Sequence, residues 1–122
     1  MAADTAASLS VAADAERALG YLREMSPDLR GAAILSAEGE LLAASGDPEA
    51  WRDAADEFLK AADGAIDEPV EQAHVATEEG EVFAVRSGGL VAIAVTERFT
   101  LASLMLFDMR TVLRDLAAGG PR

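Results

Sequence analysis

Residues 30–48 read RGAAILSAEGELLAASGDP, and the reading of this stretch decides the fold. Ala32 to Leu35 is apolar at every position, the mark of a strand buried on both faces. Glu38-Gly39 supplies a turn: a type I turn closed by a glycine at positive φ suits a short hairpin loop. Leu41 to Ser45 returns as a second strand. Asp47-Pro48 then opens a helix, with Asp47 as N-cap and Pro48 at the first helical position, and Glu49 suits the helix dipole. Trp51, Ala54, Ala55, Phe58, Leu59 and Ala62 follow at i, i+3, i+4, i+7, i+8 and i+11, one stripe of a helix that ends near Asp63-Gly64.

Working outward, Leu9, Ala12, Ala15, Leu19, Leu22 and Met25 recur at helical spacing, so a first helix is expected from about Ser10 to Met25, stopped by Ser26-Pro27. Beyond the second helix, a loop over 65–71 holds Pro69. Three strands follow: Gln72–Thr77, half polar; Glu81–Ser87, alternating; and Leu90–Thr96, continuously apolar. Glu79-Gly80 and Gly88-Gly89 connect them as hairpin signals. The loops AEGEL (37–41) and EEGEV (78–82) echo each other and are read as one turn solution used twice. A third helix is expected from about Thr100 to Ala117, its core stripe being Leu101, Leu104, Met105, Val112, Leu113 and Leu116, stopped by Gly119-Gly120-Pro121. The order α-β-β-α-β-β-β-α contains two strands apolar on both faces, which demands a layer on each side. The expected fold is a mostly antiparallel five-stranded sheet inside an α/β/α sandwich. It forms a single domain over residues 9–117, with flexible termini at 1–8 and 118–122.

The chain has 122 residues and a formal charge of −12, with 22 acidic against 10 basic side chains. That field repels phosphate backbones and anionic surfaces, so nucleic acid is not an expected partner. The acidity reads as a solvated surface, as a face for a basic partner, or as adaptation to a salty cytoplasm. The absence of cysteine removes thiol chemistry and fits a reducing, cytoplasmic setting. The longest fully apolar run, Leu90 to Val95, is far short of the roughly 20 residues that span a bilayer. Neither a signal peptide nor membrane insertion is expected.

Catalysis needs a positioned acid, base or nucleophile. His74, the only histidine, has no cysteine or evident serine partner and reads as an exposed or interfacial strand residue. The carboxylate groups Asp53 with Asp56 and Glu57, Asp67 with Glu68, and Glu78 with Glu79 fall on a helix flank, a loop and a turn, where solvated charge is the simpler reading. No metal-binding, P-loop or dinucleotide motif is present, and Gly88-Gly89 leads into a strand rather than a phosphate-binding helix. No cofactor or metal is expected. What remains is surface. Gln72–Thr77 suits an edge strand, which invites another strand. Trp51 and Phe58 either fill the core beneath their helix or belong to a stripe wide enough to pack on a second copy as well.

The segments LRGAAILSAEGELLAAS (29–45), EEGEVFAVRSGGLVAIAVTE (78–97) and TLASLMLFDMRTVLRDL (100–116) together resemble the Roadblock/LC7 domain of dynein light chains, Ragulator-type scaffolds and bacterial MglB-like proteins. The resemblance covers roughly residues 9–117. It implies a non-enzymatic homodimer in which the second helix and the third strand meet their counterparts across one continuous sheet. The platform so formed binds small Ras-like GTPases, and some bacterial members regulate GTP hydrolysis or activation. Carried over, the interface residues are Trp51, Ala54, Ala55, Phe58, Leu59 and Ala62 on the helix and His74, Val75 and Ala76 on the strand. One departure is the acidic free flank of that helix, Asp53, Asp56 and Glu57: two such flanks would repel, so the apolar flank must make the contact, or the partner must be more basic. Two other readings stand beside this one. A profilin- or PAS-like ligand sensor would need a cavity, and an enzyme would have to work through the clustered carboxylates.

Overall fold

In the computed structural model, residues 2–66 and 71–118 are described, with the backbone alone described for residues 2–11 and 66. The elements are α1 (Ala2–Met25), β1 (Leu29–Ser36), β2 (Leu41–Ala44), α2 (Pro48–Ile66), β3 (Gln72–Ala76), β4 (Glu81–Ser87), β5 (Leu90–Thr96) and α3 (Ala102–Ala117). The strands form one sheet in the order β2-β1-β5-β4-β3, and every neighbouring pair is antiparallel. The two continuously apolar strands, β1 and β5, lie side by side in the interior of the sheet, paired from Leu29↔Thr96 to Ser36↔Leu90. The half-polar β3 lies at an edge, as its composition requires.

Strand alternation divides the core in two. On one face Ala32, Ile34, Phe83, Val85, Ala92 and Ala94 meet Ala15, Ala18, Leu19 and Leu22 of α1 and Met105, Met109, Val112, Leu113 and Leu116 of α3. On the other face Ala33, Leu35, Ala84, Val91 and Ile93 meet α2, which contributes Ala55 with the partly buried Trp51, Phe58 and Leu59. Two helices thus cover one face and a single helix the other, the expected three-layer α/β/α sandwich. The small side chains of β1 and β5 let the layers approach closely.

Several boundaries and side chains differ from the sequence reading. α1 starts at Ala2 rather than near Ser10, because its alanine-rich first turns favour helix. α2 continues through Gly64 to Ile66. Leu9 in the first stripe, Pro69 in the loop and Gly119-Gly120-Pro121 lie outside the residues whose side chains are described. Met25, Leu101 and Leu104 were expected in the core and are exposed. The buried stripe of α3 is Met105, Asp108, Met109, Val112, Leu113 and Leu116, so a carboxylate takes a place the pattern gave to leucines.

The two glycine turns also differ. In the first, Gly39 adopts φ 88° and Ser36 N–H donates to Glu40 O at 2.8 Å, the predicted turn with a bulge. In the second, Thr77 N–H donates to Gly80 O at 2.8 Å, and Thr77 Oγ1 donates to the same oxygen. That loop closes one residue sooner. Gly80 has no room for a side chain: a Cβ there would stand 2.4 Å from Thr96 O and 3.1 Å from Arg30 Nη1. One motif therefore has two constraints, conformation at Gly39 and space at Gly80. Gly88-Gly89 has positive φ at both positions (60° and 77°), as a two-residue hairpin turn requires.

Gly80→Ala is expected to lower stability by about 1–3 kcal/mol, the usual effect of overpacking. Gly39→Asn, which tolerates the left-handed conformation in open space, should stay within about 0.5 kcal/mol of the parent. Urea titrations with unchanged m-values measure both. Equal losses at the two sites would contradict the close approach at Gly80.

Candidate functional site

The sandwich is unequal, and the site lies where it is thinner. α2 alone covers one face of five strands, and its entry is fixed by local hydrogen bonds. Asp47 Oδ1 accepts from Glu49 N–H at 3.0 Å, the N-cap read from the sequence. Ser45 Oγ accepts from Ala32 N–H at 2.9 Å, and Trp51 Nε1–H donates to Ser45 O at 2.6 Å. The indole then lies over Gly31, where a Cβ would come within 3.2 Å of the ring. At the other end, Arg86 of β4 forms a two-pronged ion pair with Asp63, at 2.7 and 2.9 Å. The hydrogen bond to Asp63 is the main cause that raises the Arg86 pKa above its ordinary value; desolvation opposes it and the charge of Asp63 adds to it.

Between these anchors α2 leaves part of the sheet uncovered. A groove of about 780 Å³ runs beside Trp51, bordered by Gly31, Val82, Val95, Thr77 and Gly80. Val82 and Val95 are only half-buried. Next to them at the edge, Ala73 is half-buried and Val75, on the same face, is 47 % exposed. The bare strip thus passes from the interior of the sheet to its open edge.

β3 is held from the opposite face. His74 pairs with Phe83 across the strands, and the two rings stack with centroids 4.3 Å apart and planes 3° from parallel. His74 Nε2 lies 2.6 Å from Glu81 Oε1, and Glu81 Oε2 accepts from Thr100 N–H at 2.7 Å. Glu81 is buried. Arg110 of α3 donates to Gln72. The edge strand is therefore fixed in place by α3 and its approach, while its α2-facing side stays bare.

The structure thus separates the residues singled out in the sequence. Ala55 is buried in the core; Trp51, Phe58, Leu59 and Ala62 are half-buried; Ala54 is exposed. Val75 lies on the α2 face, whereas His74 and Ala76 alternate to the other. Sequence reasoning missed the Arg86–Asp63 clamp and the His74–Glu81–Thr100 chain. The first left a signal: Val82, Ala84 and Arg86 share one strand face, so an arginine there needs an anion on the covering helix. The carboxylates Asp53, Asp56 and Glu57 are exposed on the free flank of α2, and Asp56 pairs with Lys60 at 2.9 Å. Among the described residues no three His, Asp or Glu side chains come together as a metal site. No described helix is long and apolar enough to cross a membrane.

No protein-family profile matches the chain, and no curated protein matches it. Solved structures do. The Roadblock/LC7 domain from Streptomyces avermitilis superposes with a TM-score of 0.71 at 17% identity, covering 84% of this chain and 94% of that one. The gliding protein MglB from Thermus thermophilus gives 0.72 at 12% identity, covering 89% and 90%. LokiProfilin2, solved in complex with rabbit actin, gives 0.65 at 12% identity, covering 84% and 95%. At these identities the likeness is one of fold, and the fold is that of the Roadblock/LC7 domain.

Replacing Arg86 by Gln is expected to cost about 1 kcal/mol, since the pair is partly solvated. A raised arginine pKa gives a contribution that is complete below the ordinary arginine value and lost only in strong alkali. The difference between parent and variant, followed by urea denaturation, should therefore stay constant from about pH 6 to about pH 9.

Proposed function

We propose that this chain is a non-catalytic, cytoplasmic, homodimeric scaffold that binds a small Ras-like GTPase and regulates it. The observation that carries the reading is the bare strip of sheet beside α2, which continues to the exposed edge of β3. A monomer gains nothing from leaving Val75, Val82 and Val95 wet at the rim of its smaller core. A second copy would add its own β3 to the edge and lay its α2 over the strip, burying both.

The surface of α2 supports this. Ala54, Ala61 and Ala65 line one flank together with Phe58, at i, i+4, i+7 and i+11, and Ala54 and Ala65 are exposed, so a second helix could approach closely on that side. Asp53 and Asp56 fall on the far side of the helix from this flank, while Glu57, three residues after Ala54 and four before Ala61, borders it. The repulsion expected from the sequence is thereby confined to Glu57 at the edge of the contact. Structural likeness to MglB, one form of which is described as a tetrameric arrangement, agrees with self-association. The GTPase partner rests on the sequence resemblance to the Roadblock/LC7 domain and its GTPase-binding members.

Light scattering is expected to give twice the chain mass for the parent protein. Ala54→Glu should give a monomer with an unchanged circular dichroism spectrum, because Ala54 is exposed and adds nothing to the core. A folded Ala54→Glu dimer would contradict the interface. The partner is tested by retaining proteins from host lysate on the tagged chain, once with GDP and once with a non-hydrolysable GTP analogue. Preferential capture of a small GTPase in one nucleotide state is expected. Capture of none in either state would remove the regulatory reading.

A further inference from the structure

The opposite layer carries a second exposed apolar surface, at the junction of β5 and α3. Phe99 is 86 %, Leu101 65 % and Phe107 61 % exposed, and Leu104 and Met25 are exposed as well. Two of these residues break local rules of folding. Phe99 has φ 63°, a left-handed conformation that bulky side chains rarely adopt. Leu101 occupies the N-cap of α3 with no side-chain hydrogen bond to the helix, and the first turn has no acid. Leucine is a poor N-cap. Phe99 carries the Arg98 guanidinium over its ring, 4.8 Å from the centroid, whereas Leu101 is repaid neither by burial nor by a cap, which is the pattern of a residue kept for binding.

Beside them lies a slot of about 80 Å³ between the end of α1 and the start of α3. Its apolar walls are Met25, Pro27, Leu101 and Leu104, and Asp108 lines it with Ser26. Asp108 is 9 % exposed. Among the described residues it accepts one hydrogen bond, from Ser26 Oγ at 3.2 Å. A carboxylate has room for about four such bonds, so Asp108 keeps acceptor capacity for a donor that enters the slot. The other acid at the slot, Asp28, adds to the negative potential.

We infer that this face docks a basic amphipathic segment of a partner protein, with one lysine or arginine inserted between Met25, Leu101 and Leu104 to reach Asp108. The apolar walls fit the methylene stem of such a side chain and the carboxylate fits its head. Apolar neighbours of the inserted residue pack on Leu101 and Phe107. The local charge of the slot, set by Asp28 and Asp108, selects a basic side chain, and a partner segment rich in lysine or arginine meets it better than a second copy of this chain, with 22 acidic against 10 basic side chains. The surface belongs to the α1/α3 layer and α2 lies across the sheet, so this docking is independent of the dimer proposed above.

The test is selection of a random displayed peptide library on the intact chain, followed by affinity measurement of one selected peptide. Selected peptides should carry lysine or arginine flanked by apolar residues. Asp108→Asn should weaken binding about tenfold or more, the scale of a charged hydrogen bond. Leu101→Ser should weaken it too while raising the thermal midpoint, since serine caps a helix better; this variant decides the matter if Asp108→Asn fails to fold. Ala54→Glu should leave binding unchanged. Peptides without basic residues, unchanged affinity for Leu101→Ser, or loss of binding on Ala54→Glu would each overturn the proposal. So would a fall in solution mass on Phe107→Ser, which would mean that a second copy covers this face.

Discussion

The structure depends on one constraint: β1 and β5 are apolar on both faces and must be covered on both. Each strand adds Ala, Val, Ile or Leu to two cores at once, so neither layer can be absent. Three helices divided between two faces make the division unequal. α1 and α3 close one face around Phe83, Met109 and Leu113. α2 must serve the other alone, and a single helix cannot span five strands. The bare strip at Val82, Val95 and Val75 follows from that arithmetic of layers.

The polar details serve the same constraint. Ser45, Gly31 and Trp51 fix where α2 enters, and Asp63 with Arg86 fixes where it leaves. The His74–Glu81–Thr100 chain holds the edge strand from the covered side, so that its other side can remain bare and still be ordered. The half-buried valines of the strip share their groove with Arg23, Arg30, Glu79 and Glu81, while Asp53 and Asp56 lie on the outer flank of α2. Valines left wet beside an unpaired strand edge are what the proposed assembly would bury.

The element order was legible because its signals are local. Alternation, glycine turns and the Asp47-Pro48 cap act within a few residues, and each has one physical solution. The layer count was legible too, from the double-faced strands. Side-chain destinations near helix ends were harder to read. Met25, Leu101 and Leu104 fit a helical stripe, but the stripe runs past the end of the layer it packs on, and there the same spacing points to solvent. Asp108 was missed for the converse reason: it stands three residues after Met105 and four before Val112, on the buried face, but its charge argued for the surface. The two acidic-glycine loops looked alike because sequence shows φ preference and hides the neighbouring strand; only the fold brings Thr96 against Gly80. Of the candidate site, the helix stripe and the edge strand were visible, whereas the long-range pairs that position them were not.

The most direct measurement is hydrogen exchange at the β3 amides that do not bond to β4, followed over a range of protein concentration. Those N–H groups face solvent in a lone chain and pair with another strand if the bare edge is used for assembly. Protection of these amides that rises with concentration, together with slower exchange along α2, is the predicted result. Fast exchange at β3 at every concentration, with the chain remaining folded, would contradict it.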